Sequence, residues 1–386
     1  MIKNAKILID SRIIDGELLI ENGIITSITE GESTKVADEV YDAEGNYLLP
    51  GFIDIHTHGA VMIDVNKADE KGFEKISQFF SSQGTTSWLA SILTDTREQT
   101  HWSIQKIRNY KEEKRKGAEL IGIHLEGPFL AEEYKGAMPL HLLKNPDVEL
   151  LKEYQEASGN LVRYMTISPE LPDALEVIEE GTNLGIVMSM GHSGADYDRS
   201  MQAIEKGIRS STHTFNAMKL MHQHFPAIMG ASLESDVYCE AICDGRHLHP
   251  GVVRLLLKTK GWDKVVAITD SIMAAGLPDG QYTLGVNDIV VTEGDAKLTD
   301  GVTRAGSTLT MIQALKNIMA YTGRDLTEVS KLLSENPAKL IGVFERKGSI
   351  DLGKDADLII ISPQTDVIDT FVGGILQKYE IEDEKR

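Results

Sequence analysis

Cysteine is scarce in this chain. The only two, Cys239 and Cys243, stand in VYCEAICD. Four residues apart in a strand, they share a face and lie too far apart to be bridged. A disulfide framework is therefore excluded, and a reducing compartment fits. Basic residues are also in short supply, with 39 Lys and Arg against 59 Asp and Glu, a net charge of −20. So acidic a surface argues against nucleic acid or an anionic membrane as the main partner. It does not fix the sign of a local cluster. No apolar run reaches the ~18 residues of a membrane span. The opening MIKNAKILID has no charged stretch leading into an apolar core. The expectation is a soluble, cytoplasmic protein without a signal peptide. No low-complexity tract occurs, and KEEKRK at 111–116 reads as a solvated helix end.

What is present is a long globular chain. Its 386 residues are 41% hydrophobic and 25% charged, ample for a large core. Such a length suggests two domains, or one barrel with an appendage. The first 50 residues hold short strands (KILID, GELLIENGIITSI, VYDAEGNYLLPG) between Gly and Asp/Asn turns. GSIDLGKDADLIIISP and DVIDTFVGGILQ near the C-terminus resemble them. Between lie GFIDIHTH, TTSWLASIL, ELIGIHLEGPF, VRYMTISPE, GIVMSMGHS, SSTHTFN, VYCEAICDG and KVVAITDS, all strand-like. Amphipathic stretches such as KGFEKISQFFSSQG, DALEVIEEGTNLG and DRSMQAIEKG separate several of them and end in Gly, as helices do. Eight such units predict an α/β fold, a (β/α)8 TIM-like barrel over residues 51–345. A small β-sandwich domain would be built from both termini, 1–50 plus 346–386. A doubly wound sheet is the alternative.

The strand ends carry the chemistry. His56 and His58 end the first barrel strand, Glu126 ends IGIHLEG and His192 ends IVMSMGH. His213 sits in SSTHTFN, His247 follows AICDG and Asp270 ends VVAITD. In a barrel, strand C-termini converge on one face. In a strand, residues two apart point to one side, so His56 and His58 can grip one ion while Thr57 turns away. Imidazole and carboxylate suit Zn, and equally Mn, Fe or Co. Each group alone is weak evidence, because isolated histidines are usually surface or core residues and a Glu at a strand end often caps a helix. Their recurrence at five strand ends is what singles them out. His124, two before Glu126, shares its face. Asp270 is the candidate proton carrier.

In order and wording these residues resemble the amidohydrolase superfamily. GFIDIHTHG, HLEGPF, GHSGA, THTFNAM, CDGRHLHP and AITDS are similar to its sugar-phosphate deacetylases. The resemblance spans essentially the whole chain. It implies hydrolysis of the N-acetyl group of N-acetylglucosamine 6-phosphate to glucosamine 6-phosphate and acetate, and a homodimer. It also implies that Glu126, His192 and His213 hold the better-occupied divalent metal. His56 and His58, with Glu126 as a bridge, would hold an optional second ion. Asp270 would be the catalytic acid/base, and His247 would contact substrate and polarise the acetamide carbonyl. Asn216 and Ala217 would donate to the phosphate, and GSTLTM (306–311), with Thr308, would close over the acetamido group.

One departure stands out. An Arg usually follows the Asn-Ala-Met stretch and reaches the phosphate held by the neighbouring subunit. Here the segment reads NAMKLMHQHFPAIMG, with His222 and His224 about where that Arg would stand and Lys219 nearby. A histidine is half-charged at best near neutral pH and cannot fork onto a phosphate. Lys219 or a histidine replaces the Arg, or phosphate binding is weaker, or the substrate differs. The other reading makes His222 and His224 plain loop-surface residues. A galacto epimer, an unphosphorylated sugar, and a dipeptide or cyclic amide therefore stay open. A metal-storing barrel without turnover would be expected to lack a proton carrier, and Asp270 argues against it.

Overall fold

A computed structural model describes residues 1–113 and 116–378. The centre of the charge run 111–116 and the end of the segment 346–386 lie outside the described residues. Eight parallel strands pair in chain order: β1 (Phe52–Thr57), β2 (Thr85–Leu93), β3 (Glu119–Glu126), β4 (Val162–Ile167), β5 (Val187–Met190), β6 (Ile208–Ser211), β7 (Tyr238–Ile242) and β8 (Val265–Ile268). Helices α1 (Glu70–Ser82), α2 (Arg97–Lys111), α3 (Val148–Ser158), α4 (Ala174–Asn183), α5 (Tyr197–Lys206), α6 (Ala227–Glu234), α7 (Pro250–Lys260) and α8 (Met311–Thr322) surround them. The fold is a (β/α)8 barrel. The strand-like runs read from the sequence all form strands, and the three amphipathic stretches become α1, α4 and α5.

The ring closes between β8 and β1 at the ends of the strands that carry the chemistry. The Asp270 N–H donates to His56 O at 2.8 Å, and the His58 N–H donates to Ser271 O at 2.7 Å. Thr57 and Ser271 pair as a parallel bridge. The Ile53 N–H donates to Leu333 O at 2.7 Å, earlier along β1.

Alternation along each strand sorts the side chains. On β3, Ile123 and Leu125 join Phe73, Ile104 and Ile107 in the apolar layer under the helices. Fully burying one such side chain is worth roughly 1.5–3 kcal/mol. His124 and Glu126 take the other face, as their spacing predicts. Several inward polar residues are linked by hydrogen bonds. Ser91 Oγ lies 2.9 Å from His124 Nδ1, and His124 Nε2 lies 2.9 Å from Thr166 Oγ1. Thr166 Oγ1 is 2.9 Å from Thr212 Oγ1, which is 2.6 Å from Ser189 Oγ.

Both termini contribute to one eight-stranded sheet beside the barrel, with Tyr47–Pro50 and Leu358–Ile361 paired at its centre. Leu48, Leu358 and Ile360 face the small domain's own core. Leu49, Ile359 and Ile361 face the barrel. The Ile25 N–H donates to Lys354 O and the Ala356 N–H to Gly23 O. The outer strand Ile24–Glu30 is thereby drawn back toward Leu358–Ile361, so the sheet wraps round its own core.

A second insertion has no counterpart in the sequence reading. Gly280–Leu284, Asn287–Thr292 and Asp295–Leu298 form a three-stranded antiparallel sheet after β8. GVND and TEGD are hairpin-turn signals that would have marked it. Cys239 and Cys243 are both free and buried. Among the described residues no helix is long and apolar enough to cross a membrane.

Candidate metal centre

Backbone conformation aims the site residues. Glu126 is the last residue of β3, and His56 and His58 flank the last residue of β1. His192, His213 and Asp270 each stand two residues past β5, β6 and β8, at φ 49°, 29° and 49°. A left-handed conformation costs a non-glycine residue on the order of 1–2 kcal/mol and persists only where its surroundings hold it. Its repetition at three strand ends marks a built site.

Glu126 is the hub. Its Oε1 lies 3.2 Å from His192 Nε2, 3.2 Å from His213 Nε2 and 3.4 Å from His56 Nε2. Its Oε2 lies 3.2 Å from His58 Nε2. The Nε2 atoms of His192 and His213 are 3.0 Å apart, and those of His56 and His58 are 3.2 Å apart. Asp270 Oδ1 is 3.2 Å from His58 Nε2 and 3.5 Å from His56 Nε2. All five ligand candidates are buried.

The opposite ring nitrogens fix which atoms face inward. His58 Nδ1 lies 3.0 Å from Ser91 O, and His192 Nδ1 lies 2.8 Å from Tyr134 O. A carbonyl only accepts, so each Nδ1 carries its proton and each neutral ring turns an Nε2 lone pair toward Glu126. His56 Nδ1 is held likewise by Glu240 Oε2, at 3.1 Å. Neutral rings whose lone pairs face one another at such spacing can share a cation, and a proton relieves the contact where none is bound. Imidazole and carboxylate donors of this kind fit a divalent ion, in two groups: Glu126 with His192 and His213, and Glu126 with His56 and His58.

Without a metal, the carboxylates favour protons on the first strand's two rings. Burial alone would strip the proton from His58, but its contacts with Asp270 and Glu126 push its pKa up to about 9. Burial likewise opposes charge on His56, yet Glu126, Asp270 and Glu240 hold its pKa well above the usual imidazole range. The same pairings hold Glu126 well below the usual carboxylate range, against the cost of burial, and lower Asp270 too. His124 is pushed well down by burial and by His56. It stays neutral within its hydrogen-bond chain and is not a ligand.

A cavity of about 320 Å³ opens above this cluster, lined by His58, Glu126, His192, His213, His247 and Asp270. His247 holds Asp244 Oδ2 through Nδ1 at 2.7 Å. Asn216 and Ala217 line the same cavity. The Asn216 N–H and side-chain amide are turned onto His213 O. The Ala217 N–H has no partner among the described residues. Two expected residues do not line this cavity, and for His224 the expected phosphate is that of a neighbouring subunit. His224 lies on the exposed hairpin pinned by the His222–Phe225 bridge and lines a separate groove with Lys219 and Phe225. Thr308 donates to Gly294 O and faces a neighbouring hollow. Gly306, two residues earlier, reaches the cavity instead.

Three contributors escaped the sequence reading. Glu240, fully buried on β7, supports His56 and also accepts the His213 N–H at 2.8 Å. A carboxylate inside the apolar run VYCEAIC was the available signal. Asp54 accepts from Thr269 Oγ1 at 2.5 Å and from the His56 N–H at 3.3 Å. Burial pushes its pKa up to about 6. Arg304, which follows the inserted sheet, lines the cavity.

Comparison with known proteins agrees with this geometry. Residues 47–376 match the model of the Amidohydrolase family. The chain is 37% identical over 380 residues to the N-acetylglucosamine-6-phosphate deacetylase of Bacillus subtilis, covering 97% of this chain and 96% of the relative. The crystal structure of the Pasteurella multocida N-acetylglucosamine-6-phosphate deacetylase superposes with a TM-score of 0.92 at 31% identity, covering 97% of this chain and 98% of that one. An Asp-to-Ala mutant of the Mycobacterium smegmatis deacetylase, in complex with N-acetyl-D-glucosamine-6-phosphate, gives 0.90 at 29% identity, covering 96% and 97%.

Proposed function

The chain belongs to the amidohydrolase family, and from that premise we propose that it hydrolyses the N-acetyl group of N-acetylglucosamine 6-phosphate, releasing glucosamine 6-phosphate and acetate. One observation carries the reading. Four imidazole Nε2 atoms converge on Glu126 with Asp270 beside them, and this cluster floors the cavity that His247 and Ala217 line.

Glu126, His192 and His213 would hold one divalent ion, and His56, His58 and Glu126 a second. Such an ion lowers the pKa of water into the neutral range and polarises a carbonyl. The residues supply the rest. Asp270 takes a proton from the attacking water as its oxygen bonds to the acetyl carbon. It returns that proton to the nitrogen as the C–N bond breaks, so acetate and a free amine leave. Asp244 fixes the His247 ring through Nδ1. The Nε2 of His247 can then donate to the acetyl oxygen when the ring is protonated. Asp54 and Glu240 keep His56 in place, and the Ser91 carbonyl holds His58.

The protein would work as a cytoplasmic homodimer. Leu220, Met221 and Phe225, all strongly exposed on one hairpin, support the pairing. Two buried free cysteines fit a reducing compartment.

Acetate release from N-acetylglucosamine 6-phosphate, beside the unphosphorylated sugar and the galacto epimer, tests the reading. Preference for the phosphorylated gluco sugar is expected. No acetate from any of the three would sink it, and preference for the galacto epimer would reassign the substrate.

A further inference from the structure

The histidines that stand where the usual arginine would reach a neighbouring subunit's phosphate cannot fork onto it, which leaves phosphate recognition open. Among the described residues, Arg304 is the only Lys or Arg that lines the cavity. It pairs with Lys297 as an isolated antiparallel bridge, so strand Asp295–Leu298 fixes its backbone. Asp295 then fixes the side chain. Arg304 Nε donates to Oδ1 at 3.0 Å, and Nη2 donates to Oδ2 at 3.3 Å.

A guanidinium carries five N–H donors in a rigid fork. Two are taken by Asp295. The two on Nη1 and the second on Nη2 have no partner among the described residues, and together they form the edge that matches a phosphate bidentately. Asp295 is also shared with Lys297, at 3.1 Å. Burial pushes the Asp295 carboxyl up, but the two cations outweigh it and keep it ionised. Two cations on one carboxylate leave a surplus of one positive charge. Asn216 and the free Ala217 N–H line the same cavity. Glu133 also lines it and opposes an anion there, and because Glu133 and Arg304 are both exposed, solvent screens the two alike.

We propose that Arg304 is the specificity-determining residue for the phosphate of the amino-sugar phosphate. The inserted sheet supplies it from the same chain as the metal ligands, and Asp295 orients it. This inference rests on the substrate reading above.

The test compares wild type, Arg304→Gln and Arg304→Lys in acetate release. It also compares their binding of glucosamine 6-phosphate and glucosamine by calorimetry, with metal content as the check on folding. Arg304→Gln should raise KM for the phosphorylated sugar about 10- to 100-fold, the scale of a lost charge-assisted pair, with kcat within about threefold. Affinity for glucosamine and metal content should hold. Arg304→Lys should recover part of the loss. Equal weakening of both ligands, or no change in either, would overturn the proposal. So would loss of metal in both variants, because Arg304 would then be acting through the fold. Wild type that releases no acetate from the phosphorylated sugar would overturn the substrate reading itself, and this inference with it.

Discussion

Glu240 Oε2 lies 3.1 Å from His56 Nδ1 and accepts the His213 N–H at 2.8 Å. One buried carboxylate thus braces a histidine from each ligand group. Partners of this kind typically govern metal affinity by 10- to 100-fold. Glu240→Gln should weaken metal retention by about that factor, measured as ions per chain after dialysis against a weak chelator. Retention equal to wild type would show the brace to be idle.

Replacing His56 and His58 together by Asn should remove at most one ion per chain, because Glu126, His192 and His213 form a complete set without them. Elemental analysis of the double variant decides this. A protein stripped of all metal would mean that the two groups are assigned the wrong way round.

Asp270 touches the ligand cluster only through Oδ1, at 3.2 Å from His58 Nε2. Asp270→Asn keeps the shape and loses the proton carrier. Metal content should hold while kcat falls by about 10³-fold or more, the upper range of general acid–base catalysis combined with its positioning role. Near-normal kcat would remove Asp270 from the chemistry.

The metal-free protein should be tuned by pH at His58. Its folded pKa of about 9 lies above the ordinary value of 6.5, so folding favours the protonated ring. That stabilisation is fully present below about pH 6.5 and is lost as pH rises through about 9. Thermal melts of the metal-free protein should therefore fall across that window. Metal needs the neutral ring, so loading near pH 7.5 should release protons, seen as buffer-dependent heats in calorimetry. Flat melts and buffer-independent heats would contradict this.

Lys347 lies buried against Asp357 and also reaches Glu119 Oε2 at 2.8 Å and Asp355 Oδ2 at 3.2 Å. It joins β3 to the segment leading into the small sheet. Its ion pairs hold its pKa above the usual range against the cost of burial. Lys347→Met would strand a buried carboxylate and should cost about 3–5 kcal/mol in denaturant unfolding. A loss under about 1 kcal/mol would show that the carboxylates find other partners.

The barrel and the clustering of metal-competent residues were legible because both rest on short-range pattern. Eight apolar runs separated by helical periods give the strands, and metal-competent residues at five of their ends give the candidate site. What stayed hidden depends on contacts between distant segments. Glu240 reads as an oddity in an apolar strand until His56 is placed 184 residues away. Arg304 gains meaning only once the inserted sheet sets it over the cavity. His224 lies on an exposed hairpin and Thr308 faces a neighbouring hollow, positions that no local pattern in the sequence indicates.

The closure between Asp270 and His56 also orders events in time. Thr57 and Ser271, which bridge there, are 214 residues apart, whereas Glu126 and His213 are 87 apart. A chain leaving the ribosome has all of Glu126, His192 and His213 synthesised while the last barrel strand is still unmade. His56 and His58, though synthesised first, wait for residue 270 before their strand is sealed. The earliest ligands on the message therefore stand on the strand that is sealed by the last one.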